Sequence, residues 1–99
     1  MSFHNKAGLT QIVRECVNAY DSEHLLRSGA PLDEYEPEIA AIVHELNPGT
    51  SVLEAWLIIC NTLHWFFHAH DQPVLYWNKH RELAEAIVSR LPEVDRVEP

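Results

Sequence analysis

Ser51 stands three residues ahead of Glu54, at the head of the most apolar run in the chain, Val52 to Ala69. That spacing is a capping box, in which each side chain satisfies a backbone N–H left open at a helix start. The run carries Leu53, Trp56, Leu57, Ile58, Ile59, Leu63, Trp65, Phe66 and Phe67, which at helical pitch are apolar on nearly every side. Such a helix has to be covered on most sides, so the fold should be built around it. It is not a membrane span, because Glu54, Asn61, Thr62, His64 and His68 interrupt it and a span needs about 20 mainly apolar residues.

The other segments supply the cover. Leu9, Ile12, Val13, Cys16, Val17 and Tyr20 recur at steps of three and four, one face of a first helix. Asp21 or Ser22 can cap a short helical turn through Leu25 and Leu26, which Gly29 and Pro31 then end. Pro37 suits the first turn of the next helix, whose stripe is Ile39, Ile42, Val43 and Leu46, and Asn47-Pro48-Gly49 stops it. Asp71 and Pro73 open the last helix, Leu83, Ala84, Ile87 and Leu91 form its stripe, and Pro92 closes it. From about Glu93 the chain reads as a frayed tail.

No stretch alternates apolar and polar residues over a strand length, and no Asn-Gly or Asp-Gly turn joins two β-branched runs. The sequence therefore predicts an all-α fold, an irregular bundle of about four helices around the apolar one. With 99 residues it forms a single domain, 1–99. Cys16 and Cys60 both sit in apolar stripes, where a disulfide framework is not expected, and Met1 to Ala7 contain no apolar signal core. Both features point to a reduced, cytoplasmic setting.

The run from Ala30 to Ile39, Ala-Pro-Leu-Asp-Glu-Tyr-Glu-Pro-Glu-Ile, resembles a family of short uncharacterised bacterial helical proteins that includes Bacillus YugE. Members carry an Asp-Glu-Tyr-Asp-Pro-Glu-Ile run after a Trp-Asp-Pro segment. The likeness covers roughly residues 19 to 46, with Ala19-Tyr20-Asp21-Ser22 where the tryptophan and proline would fall and Glu36 in place of the second aspartate. The resemblance implies a small helical fold in a bacterial cytoplasm. It implies no activity, substrate or site.

Charge provides the candidate site. The interval from Ser28 to Asn78 contains seven acids and no lysine or arginine, in a chain of formal net charge -8. Asp33, Glu34, Glu36 and Glu38 crowd the start of the second helix, and Glu45 lies near its end. Carboxylates at a helix start are stabilised by the helix dipole, which alone would explain them. One-sided charge also steers a basic protein partner onto its docking face. On that reading Asp33, Glu34, Glu36, Glu38 and Glu45 are the partner-binding residues, with Glu34 and Glu38 exposed and off the Ile39, Ile42, Leu46 stripe.

Other chemistries find less support. Cys60, His64 and His68 make one axial row on the apolar helix, a spacing that helical zinc sites use, but a fourth ligand such as His80 would have to come from elsewhere. Packed histidines explain the row as well, so no metal and no cofactor is assigned. No nucleophile, base and orienting group stand in a catalytic motif, which points away from an enzyme. The three glycines are scattered and no basic patch occurs, so neither nucleic acid nor a nucleotide is expected as a partner. Trp56, Trp65 and Trp77 are expected in the core; one left exposed would serve a homodimer or a partner interface. Three functions then compete. A non-enzymatic acidic binding protein, such as an inhibitor or immunity protein neutralising a nuclease toxin, comes first. A housekeeping helical protein is second, and a metal-binding protein using the central histidines third.

Overall fold

The computed structural model describes residues 3–21, 26–31, 33–67 and 74–94, without the side chains at 64, 66, 67 and 74–79. Among the described residues there are four α-helices and no strand: α1 (Lys6–Tyr20), α2 (Glu36–Glu45), α3 (Val52–Phe67) and α4 (Val74–Arg90), followed by a 3-10 turn, Leu91–Glu93. The all-α reading holds. Each helix packs on its neighbours in the chain, most extensively α3 on α4, and α4 closes back onto α1.

Asn5 starts α1, its Oδ1 accepting from the Gly8 N–H at 2.9 Å. A Cβ at position 8 would stand 2.5 Å from Asn5 Nδ2, so the cap requires a residue without one. The expected stripe Leu9, Ile12, Val13, Cys16 and Val17 is buried. The helix ends at Asp21, whose backbone is left-handed at φ 46° and donates to the Val17 carbonyl. Of the short helical turn expected next, Leu25 lies outside the described residues; Leu26 to Gly29 form a turn, with Gly29 at φ 98°.

Pro37 occupies the first turn of α2, which buries Ile39, Ile42 and Val43, with Leu46 buried just after it. The stop at Asn47-Pro48-Gly49 is a hydrogen-bonded turn in which Thr50 Oγ1 accepts from Asn47 N–H and Asn47 Oδ1 from Gly49 N–H. The capping box of α3 is formed on both sides: Ser51 Oγ accepts from Glu54 N–H at 3.1 Å, and Glu54 Oε1 from Ser51 N–H at 3.0 Å.

One expectation fails. The apolar helix is not covered on most sides, because Leu53, Leu57 and Trp65 are 59%, 52% and 76% exposed. The contacts of α3 with α2 and α4 bury Ala55, Ile59, Cys60 and Leu63, and that side takes the neighbours which the sequence assigns to the whole circumference. Of the frayed tail expected from about Glu93, residues 95–99 lie outside the described residues; Val94 is buried, and its carbonyl accepts from Asn5 Nδ2 at 3.3 Å. Leu91 and Val94 join the core that α1 and α4 share. Leu83, Ala84, Ile87 and Leu91 are buried as expected, while Asp71 and Pro73 lie outside the described residues.

Candidate functional site

The acidic start of α2 is held from behind by a buried carboxylate. Asp21 accepts from the Tyr35 hydroxyl at 2.7 Å, the Leu26 N–H at 3.0 Å and the Arg27 N–H at 2.9 Å. Burial alone would push its carboxyl up; the hydrogen bonds from Tyr35, Arg27 and Leu26 outweigh it and hold the group below its ordinary range. Tyr35, the residue just before α2, is fully buried. This anchor fixes the turn on which Asp33 and Glu34 stand, a turn closed by bonds from Glu34 N–H to the Pro31 carbonyl and from Glu36 N–H to the Asp33 carbonyl.

The five carboxylates expected at the partner face are not equivalent. Asp33, Glu34 and Glu45 are exposed, and none has an ion pair among the described residues. Glu45 stands at the other end of α2 from Glu36, roughly 14 Å along the axis at about 1.5 Å per residue. Glu36 is half-buried and taken by Arg14, whose Nε and Nη2 reach its two oxygens at 2.8 Å each. That fork keeps the Glu36 carboxyl below the usual range. The interval without lysine or arginine is thus not a region without cations, since α1 supplies one in space.

Glu38 corrects the sequence reading, for it is 5% exposed. It lies on the flank of the buried stripe, one residue before Ile39 and one turn before Ile42, where the core closes over it. Its Oε2 is buried, with no hydrogen-bond partner among the described residues. Burial pushes its carboxyl up, a contact with its own backbone N–H opposes that, and the charge of Glu34 adds to it.

A groove of about 270 Å³ runs beside this acidic end between α1 and α2, with Lys6, Thr10, Glu36 and His44 around Ile39, Ala40 and Val43. A second, of about 340 Å³, lies at the start of α3 between Val52, Leu53, Trp56 and Arg81. There the Arg81 guanidinium sits 5.9 Å from the centre of the half-buried Trp56 ring.

Of the other constellation from the sequence, His68 and the His64 side chain lie outside the described residues. Cys60 meets His80 of α4, Sγ to Nδ1 at 3.6 Å, both buried. No group of three metal-ligating side chains occurs among the described residues. Burial raises the Cys60 thiol to about 11 and raises the Cys16 thiol too, so neither is a thiolate at neutral pH. Among the described residues no helix is long and apolar enough to cross a membrane. No known family, curated protein or solved structure matches the chain.

Proposed function

We propose that this chain is a non-enzymatic acidic binding protein whose docking face for a basic protein partner is the start of α2. One observation carries the reading. The described arginines pair with other acids, Arg14 with Glu36, Arg27 with Asp21, Arg81 with Glu85 and Arg90 with Glu15 and Glu93, while Asp33 and Glu34 stand exposed on a turn pinned by Tyr35, with no ion pair among the described residues. Unpaired charge on a rigid support speeds encounter with an opposite charge and loses little entropy on docking. Asp33 and Glu34 form the centre of the face, Glu36, bridged to Arg14, its inner edge, and Glu45 a separate outer contact, while the buried Glu38 lies behind it. The most concrete form is an inhibitor or immunity protein that neutralises a cationic partner such as a nuclease toxin in a bacterial cytoplasm. The likeness of residues 19–46 to the YugE-type family agrees with that setting and supplies no activity of its own.

The Arg14–Glu36 bridge favours a second reading for part of the acidic run, in which those carboxylates only join helices and keep a housekeeping protein in solution. Charge reversal separates the two. Because Glu38 is buried, the informative pair is Asp33→Lys with Glu34→Lys, both exposed. A cationic protein captured at low salt should associate more slowly with the double variant, and added salt should narrow the difference, since screening acts over about 8 Å at physiological ionic strength. Equal association rates at low salt would reject the docking face.

A further inference from the structure

We infer that Cys60 and His80 are two ligands of a zinc site between α3 and α4, with His64 as the third; the inference is independent of the acidic face. The row of Cys60, His64 and His68 needs a ligand from a second helix, and the fold supplies one. His80 of α4 brings Nδ1 to 3.6 Å from Cys60 Sγ, and both residues are buried. A tetrahedral zinc imposes that separation: bonds of about 2.3 Å to sulfur and about 2.0–2.1 Å to nitrogen, at a tetrahedral angle, set the two atoms about 3.6 Å apart. The pair can therefore take the ion without moving apart.

A thiol that only donates to an imidazole reaches the same distance, so two further features carry the choice. The Trp56 side chain hydrogen-bonds Cys60. An indole can only donate, so this contact favours the thiolate, the form of cysteine that holds a metal. The Arg81 guanidinium, next in the chain to His80, packs over the same indole 5.9 Å from its centre. Spacing is the second feature. His64 follows Cys60 by four residues inside α3, one turn along one face, the arrangement of paired zinc ligands on a helix. Its side chain lies outside the described residues, and its place in the set is assigned from that backbone position. Three protein ligands leave the fourth tetrahedral position to water. Binding exchanges a proton for the ion: zinc accepts the sulfur electron pair as the thiol proton leaves to solvent. Sulfur with imidazole selects zinc, or cobalt(II) as its substitute, over magnesium and calcium, which take oxygen ligands.

Cobalt(II) titration of the whole chain, reduced and freed of metal with a chelator, tests this. One equivalent should produce visible absorption of tetrahedral strength together with a thiolate-to-cobalt charge-transfer band in the near ultraviolet, and added zinc should remove both. Cys16→Ser leaves Cys60 as the single thiol and should keep the whole spectrum, whereas Cys60→Ser should lose the charge-transfer band. His80→Asn and His64→Asn should each weaken zinc binding at least about tenfold. Zinc should raise the melting temperature of the parent and not that of Cys60→Ser. Absence of the charge-transfer band in Cys16→Ser, or zinc affinity undiminished in either histidine variant, overturns the site. Should Cys60→Ser or His80→Asn not fold, Cys16→Ser decides by NMR of its imidazole nitrogens. Zinc must then shift the ring nitrogens of both His80 and His64, and either ring left unmoved overturns the inference.

Discussion

Asp21 and Glu38 are two buried carboxylates with opposite effects on stability. Asp21 has three donors, so its folded state prefers the ionised form, and the stability this gives is present above the unfolded aspartate range near 3.9 and is lost as pH falls through the lowered folded value. Tyr35→Phe removes one donor and should cost about 1–2 kcal/mol in urea unfolding at pH 7. That cost should shrink below pH 4, and a loss that ignores pH would contradict the Tyr35–Asp21 bond as its cause. Glu38 has its carboxyl raised, so its sign is reversed: stability is fullest below the unfolded glutamate range near 4.3 and declines as pH rises through the folded value. Glu38→Gln should accordingly be more stable than the parent at pH 7, on the order of 1 kcal/mol, and no more stable at pH 3.5. Neither role is legible in the sequence. Asp21 reads there as a cap for the next turn, and its tyrosine lies fourteen residues away; Glu38 reads as exposed because a charge on the rim of a helical stripe normally is.

At the level of elements, the signals that the sequence carries well are local ones. Ser51 and Glu54 are three residues apart, so their reciprocal bonds depend on helix geometry alone, and they form as expected. Ser51→Ala should cost about 1 kcal/mol, and Ser51→Asp, which can still accept from the Glu54 N–H, should cost much less. Thermal unfolding of the two variants checks this; equal losses would mean that the cap contributes nothing at this site. The stripes of α1, α2 and α4 are likewise readable because periodicity is a property of one segment. What joins segments is not. Arg14 lies 22 residues before Glu36, and nothing in a count of lysines and arginines along the chain shows that one helix brings its guanidinium to another's first turn. Val94, 89 residues from Asn5, packs back at the start of α1 for the same reason: its neighbours come from the far end of the chain.

The whole molecule sets a large negative charge against an open apolar side of α3. Sequence alone shows that α3 is apolar nearly all round, but the number of neighbours it finds depends on how four helices close, and the side of Leu53, Leu57 and Trp65 is left facing outward. Charge repulsion between copies then matters for keeping that side apart. Protonating all seven histidines would take the formal charge from -8 to -1, so acidification removes most of the net charge. Solubility should therefore fall near pH 5 to 5.5, measurable as light scattering on slow acidification. If copies then meet through the apolar side, Leu57→Ser with Trp65→Ser should remove most of the scattering while changing stability by less than about 1 kcal/mol, because both side chains are more than half exposed. A double variant that scatters as strongly as the parent would place the cause in charge neutralisation over the rest of the surface, and a parent that stays clear through pH 5 would show that repulsion is not what keeps its copies apart.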